Sequence, residues 1–258
     1  MALEPYRWRL SGSFLAHLFK ATTRQHHRDL YPLFARFVPR SGIAFDVGAH
    51  AGQYTKLLAR AAPAGRVYAF EPGSYARAIL RTVVALRRLD NVLVMPMALG
   101  SACGVETLSM PVKAGGSFGF GLSHLGRPQP RWELVAQELV ATTSLDAVAG
   151  ALKLERLDFV KADIEGWEFS LLRGGEATLR RFRPVLVLEL LSQHLARAGD
   201  RVDDAFAFLA ELGYTAFELT PQNEMVPAVA ARDGEYWFIA EGDPPHSVDH
   251  AGGSRTTT

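Results

Sequence analysis

Two carboxylates frame a glycine-rich turn in the first third of this chain. Asp46 stands two positions before Gly48, and Glu71 follows Gly52 by 19 positions, with Ala49, His50 and Ala51 between the glycines. Gly48 lets the backbone turn and approach a ligand closely, and Gly52 permits tight helix–strand contact. Such a turn alone also fits a dinucleotide or a phosphate. Asp46 would repel a pyrophosphate, yet it suits the amino group of a bound amino acid. Glu71 closes the next apolar run, from which a carboxylate accepts hydrogen bonds from both ribose hydroxyls. Pro72 then ends that run and fixes the turn. An adenosine joined to an amino acid, as in S-adenosylmethionine, fits this pair better than a dinucleotide does.

A second group, Lys161, Asp163, Glu165 and Glu168, gathers where an apolar run gives way to helical sequence. Alternation along an extended chain puts Lys161, Asp163 and Glu165 on one side. These residue types can position a ligand or handle a proton. Lys161 and Glu165 could equally pair, and acids ahead of Phe169 would favour a helix N-terminus through its dipole. Histidine, with an intrinsic pKa of about 6.5, offers further bases at His50, His124 and His194. Tyr54 and Trp167 have aromatic faces that could meet a cation or pack in the core. Asp163 with Glu189 makes an incomplete magnesium site, and neither a calcium loop nor a zinc motif occurs, so no metal is expected.

Positioning these groups falls to five short apolar runs, Ile43–Val47, Arg66–Phe70, Val92–Met95, Leu157–Lys161 and Val185–Glu189. Continuous apolar sequence such as Val185-Leu186-Val187-Leu188 suits strands buried on both faces of a parallel sheet. Helical spacing follows at Tyr54–Ala62, Tyr75–Arg88, Phe169–Arg181 and Arg201–Leu212. This alternation predicts a doubly wound α/β fold with helices on both faces of the sheet. Tyr214–Leu219 and Tyr236–Ala240 then read as an antiparallel pair closing the sheet edge, joined by the turn-forming connector Thr220 to Glu235. The expected sheet is Rossmann-like, mostly parallel and seven-stranded, ending in an antiparallel hairpin.

Residues 1–40 read as an N-terminal helical segment that caps the domain or lines its substrate side. Residues 41–241 read as the domain, with an insertion over 101–143, and 242–258 as a disordered tail. Glycines and aromatics in the insertion, from Gly115-Gly116 through Ser117-Phe118-Gly119-Phe120-Gly121 to Pro128 and Pro130, predict a loop or hairpin over the carboxyl end of the sheet. The chain has 28 basic and 27 acidic residues, which gives no electrostatic case for a nucleic-acid partner. Its single Cys103 excludes an intramolecular disulfide and reads as a small loop filler. No apolar run reaches the ~20 residues of a membrane span, and the N-terminus lacks the pattern of a signal peptide, so a cytoplasmic location is expected. The basic-aromatic stretch Met1 to Lys20 reads as a helix packed on its own domain, with a membrane-surface role as the alternative. Neither terminus shows a heptad pattern, and oligomeric state is not readable.

The chain resembles the FkbM family of S-adenosylmethionine-dependent methyltransferases. The resemblance is carried by Asp46-Val47-Gly48-Ala49-His50-Ala51-Gly52-Gln53-Tyr54-Thr55, Phe70-Glu71-Pro72, Thr143-Ser144-Leu145-Asp146 and Asp158-Phe159-Val160-Lys161-Ala162-Asp163-Ile164-Glu165-Gly166-Trp167-Glu168. It spans roughly residues 30 to 240. His50 stands where the family usually shows Asn, and Ala162 where a bulkier aliphatic is usual. The resemblance implies a class I methyltransferase fold and O-methylation of a hydroxyl on a sugar or natural-product-type small molecule. It places the cofactor against Asp46, Gly48, Ala49, His50, Gly52, Tyr54, Thr55, Glu71, Pro72 and Asp163, with Ala98 and Leu99 by the adenine. Asp163 is then a positioning group for cofactor and acceptor, and Glu165 or Lys161 handles the proton. Alignment of reacting atoms is worth ~7–11 kcal/mol and a base about 3–5 kcal/mol, so positioning groups should dominate. An NAD-dependent oxidoreductase, or an inactive methyltransferase-like binding domain, remains as an alternative.

Overall fold

The computed structural model describes residues 11–112, 119, 123–126 and 134–242. Met1–Leu10, most of the glycine- and aromatic-rich insertion, and all but the first residue of the expected tail lie outside the described residues.

Five parallel strands form the centre of an eight-stranded sheet, β1 (Ile43–Val47), β2 (Arg66–Phe70), β3 (Val92–Met95), β8 (Phe159–Ala162) and β9 (Val185–Leu190). Beyond β9 the sheet turns antiparallel through β12 (Gly234–Ala240), β10 (Tyr214–Leu219) and β11 (Met225–Pro227). The order is β11-β10-β12-β9-β8-β1-β2-β3. The closing antiparallel pair is therefore present, but the sheet has eight strands where seven were expected. The added strand lies in the connector, where Pro221, Gln222 and Asn223 turn the chain and Asn223 takes a left-handed φ of 61°. That turn brings Met225 back opposite Leu219 and makes a short edge strand ending at Pro227.

Helices cover both faces. On one face α2 (Tyr31–Phe37), α3 (Gln53–Ala61) and α4 (Ser74–Leu86) enclose Phe34, Leu58, Leu80, Phe159 and Trp237. On the other, α5 (Leu145–Ala151), α6 (Glu168–Arg173), α7 (Glu176–Phe182) and α8 (Val202–Glu211) pack over Phe45, Phe70, Leu188 and Phe238. One helix was expected over Phe169–Arg181, yet α6 and α7 are separated by Gly174-Gly175. The backbone of Gly100 runs so close to Gly174 that a Cβ there would sit 2.0 Å from its carbonyl oxygen. The N-terminal helix α1 (Gly12–Thr23) is capped by Ser11, whose hydroxyl accepts from the Phe14 amide, and it packs on α4 through Phe14 and Tyr75.

The insertion forms an antiparallel hairpin over the carboxyl end, as expected, and extends it into a small sheet. In it β4 (Ala98–Gly100) pairs parallel with β7 (Val135–Ser144), which pairs antiparallel with β5 (Gly104–Pro111), and β6 (His124–Leu125) lies on β5. Ala98, Leu108, Leu125 and Val140 form its core, and Trp167 packs against them. No helix among the described residues is long and apolar enough to cross a membrane.

Candidate active site

A cavity of about 260 Å³ opens at the carboxyl ends of β1, β2 and β8 and is closed on the far side by Leu108, His124 and Leu125 of the small sheet. Its rim begins where β1 ends. The amides of Gly48 and Ala49 both donate to the Phe70 carbonyl at 3.0 Å, which folds the turn back onto β2. Gly48 has a φ of +77°, and a Cβ there would stand 2.0 Å from the Asp163 carbonyl oxygen. Only glycine lets β1 and the end of β8 converge this closely.

Glu71 reaches into the cavity with both oxygens anchored. Oε2 accepts from the His50 amide and Oε1 from the Gly73 amide, each at 2.8 Å. Burial pushes its carboxyl up to about 7 against those two donors. His50 takes a left-handed φ of 51° to deliver its amide, and burial lowers its imidazole to about 4, so the ring is neutral. Ala98 and Leu99 form part of the apolar wall beside Phe70 and Met97.

The charged end centres on Lys161, which is 2 % exposed. Its Nζ lies 3.1 Å from Asp163 Oδ2 and 4.5 Å from the centre of the Tyr54 ring. Burial works against the ammonium, but Asp163 and Asp46 outweigh it and hold Lys161 above the ordinary lysine value. Lys161 in turn holds the Asp163 carboxyl down. Glu189 hydrogen-bonds Asp163 and is pushed up to about 7, first by burial and then by that neighbour. A single ammonium thus organises a group of carboxyls, one of which keeps its proton near neutrality.

Glu165 lies in the same cavity without pairing to Lys161. Strand β8 ends at Ala162, so alternation does not extend to Glu165, which sits in a turn with a φ of 56°. Glu168 holds that turn by accepting from the Ile164 amide at 2.8 Å and the Gly166 amide at 3.0 Å. Burial pushes Glu168 up to about 8. Glu165 Oε2 meets His194 Nδ1 at 3.1 Å, and burial followed by the Asp163 charge pushes its carboxyl up to about 7.

Gly48, Ala49, His50, Tyr54, Glu71, Pro72, Ala98, Leu99, Lys161, Asp163 and Glu165 therefore line one cavity, as does His124. Asp46, Gly52 and Thr55 do not. Asp46 is fully buried, and its Oδ2 accepts from the Thr55 hydroxyl at 2.5 Å, tying β1 to α3. Trp167 is taken up by packing beneath Gly100. His27, stacked on Tyr54 with ring centres 4.9 Å apart, and Glu235, which accepts from the Tyr54 hydroxyl at 3.3 Å, were not anticipated. For Glu235 the available signal was a lone carboxylate opening the apolar strand Tyr236–Ala240.

Residues 46–216 match the methyltransferase FkbM domain. The chain belongs to the FkbM methyltransferase family. The crystal structure of methyltransferase FkbM from Methylobacillus flagellatus superposes with a TM-score of 0.51 at 15% identity, over 87% of this chain and 58% of that one. The family member described here thus spans less than two thirds of that relative's length. An O-methyltransferase from Bacillus cereus in complex with SAH gives 0.48 at 15% identity, over 90% of this chain and 91% of that one. An rRNA methylase from Streptococcus thermophilus gives 0.46 at 10% identity, over 84% and 96% respectively. Likeness at these identities concerns the fold alone, which is that of the class I methyltransferases. No curated protein matches the chain in sequence.

Proposed function

We propose that this protein binds S-adenosylmethionine in the cavity and transfers a methyl group to a hydroxyl of a small molecule of sugar or natural-product type. The observation that carries the reading is Glu71, fixed by two backbone amides at the mouth of a glycine turn in an FkbM-family chain. The donor set fits the cofactor. A carboxylate has about four lone-pair sites, so Glu71 retains acceptor capacity for ribose hydroxyls. Ala98, Leu99 and Leu125 offer an apolar slot for adenine. Asp163, rather than the buried Asp46, is the carboxylate that meets the positively charged amino acid end. The cofactor, when bound, supplies a methyl group on a sulfonium that is its own leaving group.

The remaining work belongs to the chain. Tyr54 and Asp163 orient the charged end, and the small sheet with His124 shields it from water. Lys161 is kept protonated, so it stabilises negative charge and does not take the proton. That role falls to Glu165 Oε, whose carboxyl titrates near neutrality and whose geometry His194 fixes.

Thermal unfolding with S-adenosylmethionine, S-adenosylhomocysteine, NAD or no ligand tests the reading. Ligand at ~100 times its dissociation constant adds about 2.7 kcal/mol, a midpoint rise of roughly 5–10 °C. The two adenosyl amino acids should produce that rise, and Glu71→Ala should weaken S-adenosylhomocysteine by about 10- to 150-fold. A rise with NAD alone, or undiminished binding by the variant, overturns the assignment.

A further inference from the structure

A second depression, about 420 Å³ in volume, lies beside the candidate site. It is bounded by the segment His27–Leu30, the end of β10 and the start of β12. Register places it on the functional edge of the sheet. Glu235 of β12 pairs with Glu189 of β9, and Gly234 with Leu190, so the start of β12 stands at the carboxyl end of the parallel strands. His27 lines both this groove and the cavity. The partition between them is one stacked pair, His27 on Tyr54, steadied by the hydrogen bond from Tyr54 to Glu235. Lys161 Nζ lies 4.5 Å from the centre of the same Tyr54 ring. A molecule lying across His27 would enter the groove at one end and approach Lys161 and Asp163 at the other.

The groove has a defined chemistry. Leu30 and Leu219 give it an apolar floor, and Asn223, Asp29 and Asp233 supply hydrogen-bonding groups on its walls. Arg232 is the only guanidinium or ammonium in those walls among the described residues, and it is committed to Glu218 at 2.7 Å. Hydrogen bonds hold two carboxyls in their charged form. Asp29 accepts from the Asn223 side-chain amide at 3.0 Å, and Asp233 accepts from the Ser192 amide at 2.8 Å and its hydroxyl at 2.5 Å. Asp29 and Asp233 are thus carboxylates without a guanidinium or ammonium of their own in the groove. Polyanions and phosphorylated molecules would meet like charge here.

We propose that this groove is a second subsite for the methyl acceptor, and that it takes a hydroxyl-rich segment free of anionic groups, with an ammonium substituent favoured over an uncharged one. The proposal rests on the methyltransferase reading and adds to it where the acceptor lies and which charge it carries. Exposed carboxylates act weakly one at a time, so Asp29 and Asp233 together should give about a tenfold preference for the amine, reduced by salt.

The test uses the full chain saturated with S-adenosylhomocysteine, whose binding is first measured by calorimetry. Three disaccharide probes are then titrated by NMR: glucosaminyl-glucosamine, cellobiose and glucuronosyl-glucose. The expected result is binding of the first about tenfold tighter than the second, none by the third, and shifts at the Asn223 side-chain amide and the Leu30 and Leu219 methyls. The double variant Asp29→Asn, Asp233→Asn should erase the preference for the amine while leaving S-adenosylhomocysteine affinity unchanged. Equal binding of the uronic acid, shifts confined to the cavity, or no binding of any probe by the loaded protein overturns the subsite. Failure to bind S-adenosylhomocysteine overturns the cofactor reading instead, and the subsite falls with it.

Discussion

Replacing Lys161 by Met removes the one ammonium on which the charged end of the site is built. The methionine fills similar space, so the cost is electrostatic. Asp46 Oδ1 is buried with no hydrogen-bond partner, and its Oδ2 is bonded to Thr55, so this carboxyl depends on Lys161 for its charge balance. Breaking a buried ion pair by removing one partner typically costs about 3–5 kcal/mol. The Asp163 side chain is 40% exposed and water can compensate it, which reduces the expectation to about 2–4 kcal/mol. At roughly 2–4 °C per kcal/mol for a domain of this size, the midpoint should fall by roughly 5–15 °C. The pH dependence adds a sign. Lys161 has a raised pKa, so its contribution is fully present below the unfolded lysine value of about 10.4 and constant between pH 5 and 8. Asp46 is raised by burial, so the folded state is favoured as pH falls and disfavoured as pH rises through its folded value. Without Lys161 that folded value moves further up. Asp163 simultaneously loses the partner that made its ionised form stabilising above the unfolded value. The deficit of Lys161→Met against the parent should therefore be larger at pH 8 than at pH 5.5, and adding Asp46→Asn should recover part of it. Urea unfolding at both pH values measures this directly. A deficit under about 1 kcal/mol, or one that does not change with pH, refutes the argument.

Two further outcomes follow from the same geometry. Gly48→Ala should destabilise far more than Gly52→Ala, because the first Cβ would strike the Asp163 backbone at 2.0 Å while the second would meet only the mobile end of Leu80 at 2.8 Å. The left-handed backbone alone costs about 1–2 kcal/mol at either site, so equal midpoints for the two variants would contradict the close approach of β1 and β8. Glu165→Gln should lower methyl transfer by roughly 10²–10⁴-fold and remove the rise in rate with an apparent pKa of about 7. A carboxyl whose folded pKa is raised loses stabilisation as pH climbs through that value, so the same variant should be at least as stable as the parent at pH 8. A variant that loses both activity and stability would assign Glu165 to the scaffold.

The carboxyl edge of the sheet was legible because parallel strands buried on both faces read as unbroken apolar runs, and the residues closing those runs must stand at that edge. Phe70-Glu71-Pro72 is such a case, and Glu71 stands where that reading puts it. Depth was not legible. Asp46 and Glu71 both come at or near strand ends, but Asp46 is drawn down by Thr55 on α3, a contact that depends on how the helix docks. Three-residue β11 left no alternation to read, since its pairing follows from the turn at Asn223. The break between α6 and α7 depends on the approach of Gly100, which belongs to a distant strand. The extension of the insertion's hairpin into a four-stranded sheet escaped for a different reason. Its long strands β5 and β7 are half-exposed ribbons whose apolar residues, such as Val105 and Leu139, face outward as often as inward.

The groups that sequence reading could list but not connect are the carboxyls around Lys161. Asp163 follows β8, Glu189 lies on β9 and Glu235 opens β12, and only the order β12-β9-β8 makes them neighbours. The Lys161 ammonium does not act equally on the three, and its effect is divided by position. Asp163, in direct contact with Lys161, is held down, while Glu189 and Glu235 are pushed up by burial. Glu189, pushed up to about 7, is a carboxyl whose ionised form a further positive charge would favour. An incoming sulfonium or ammonium would therefore be met by carboxylates already in place, and no side chain would have to move to provide them. The sheet register, rather than any single residue, is what gathers Asp163, Glu189 and Glu235 around Lys161 at the carboxyl edge.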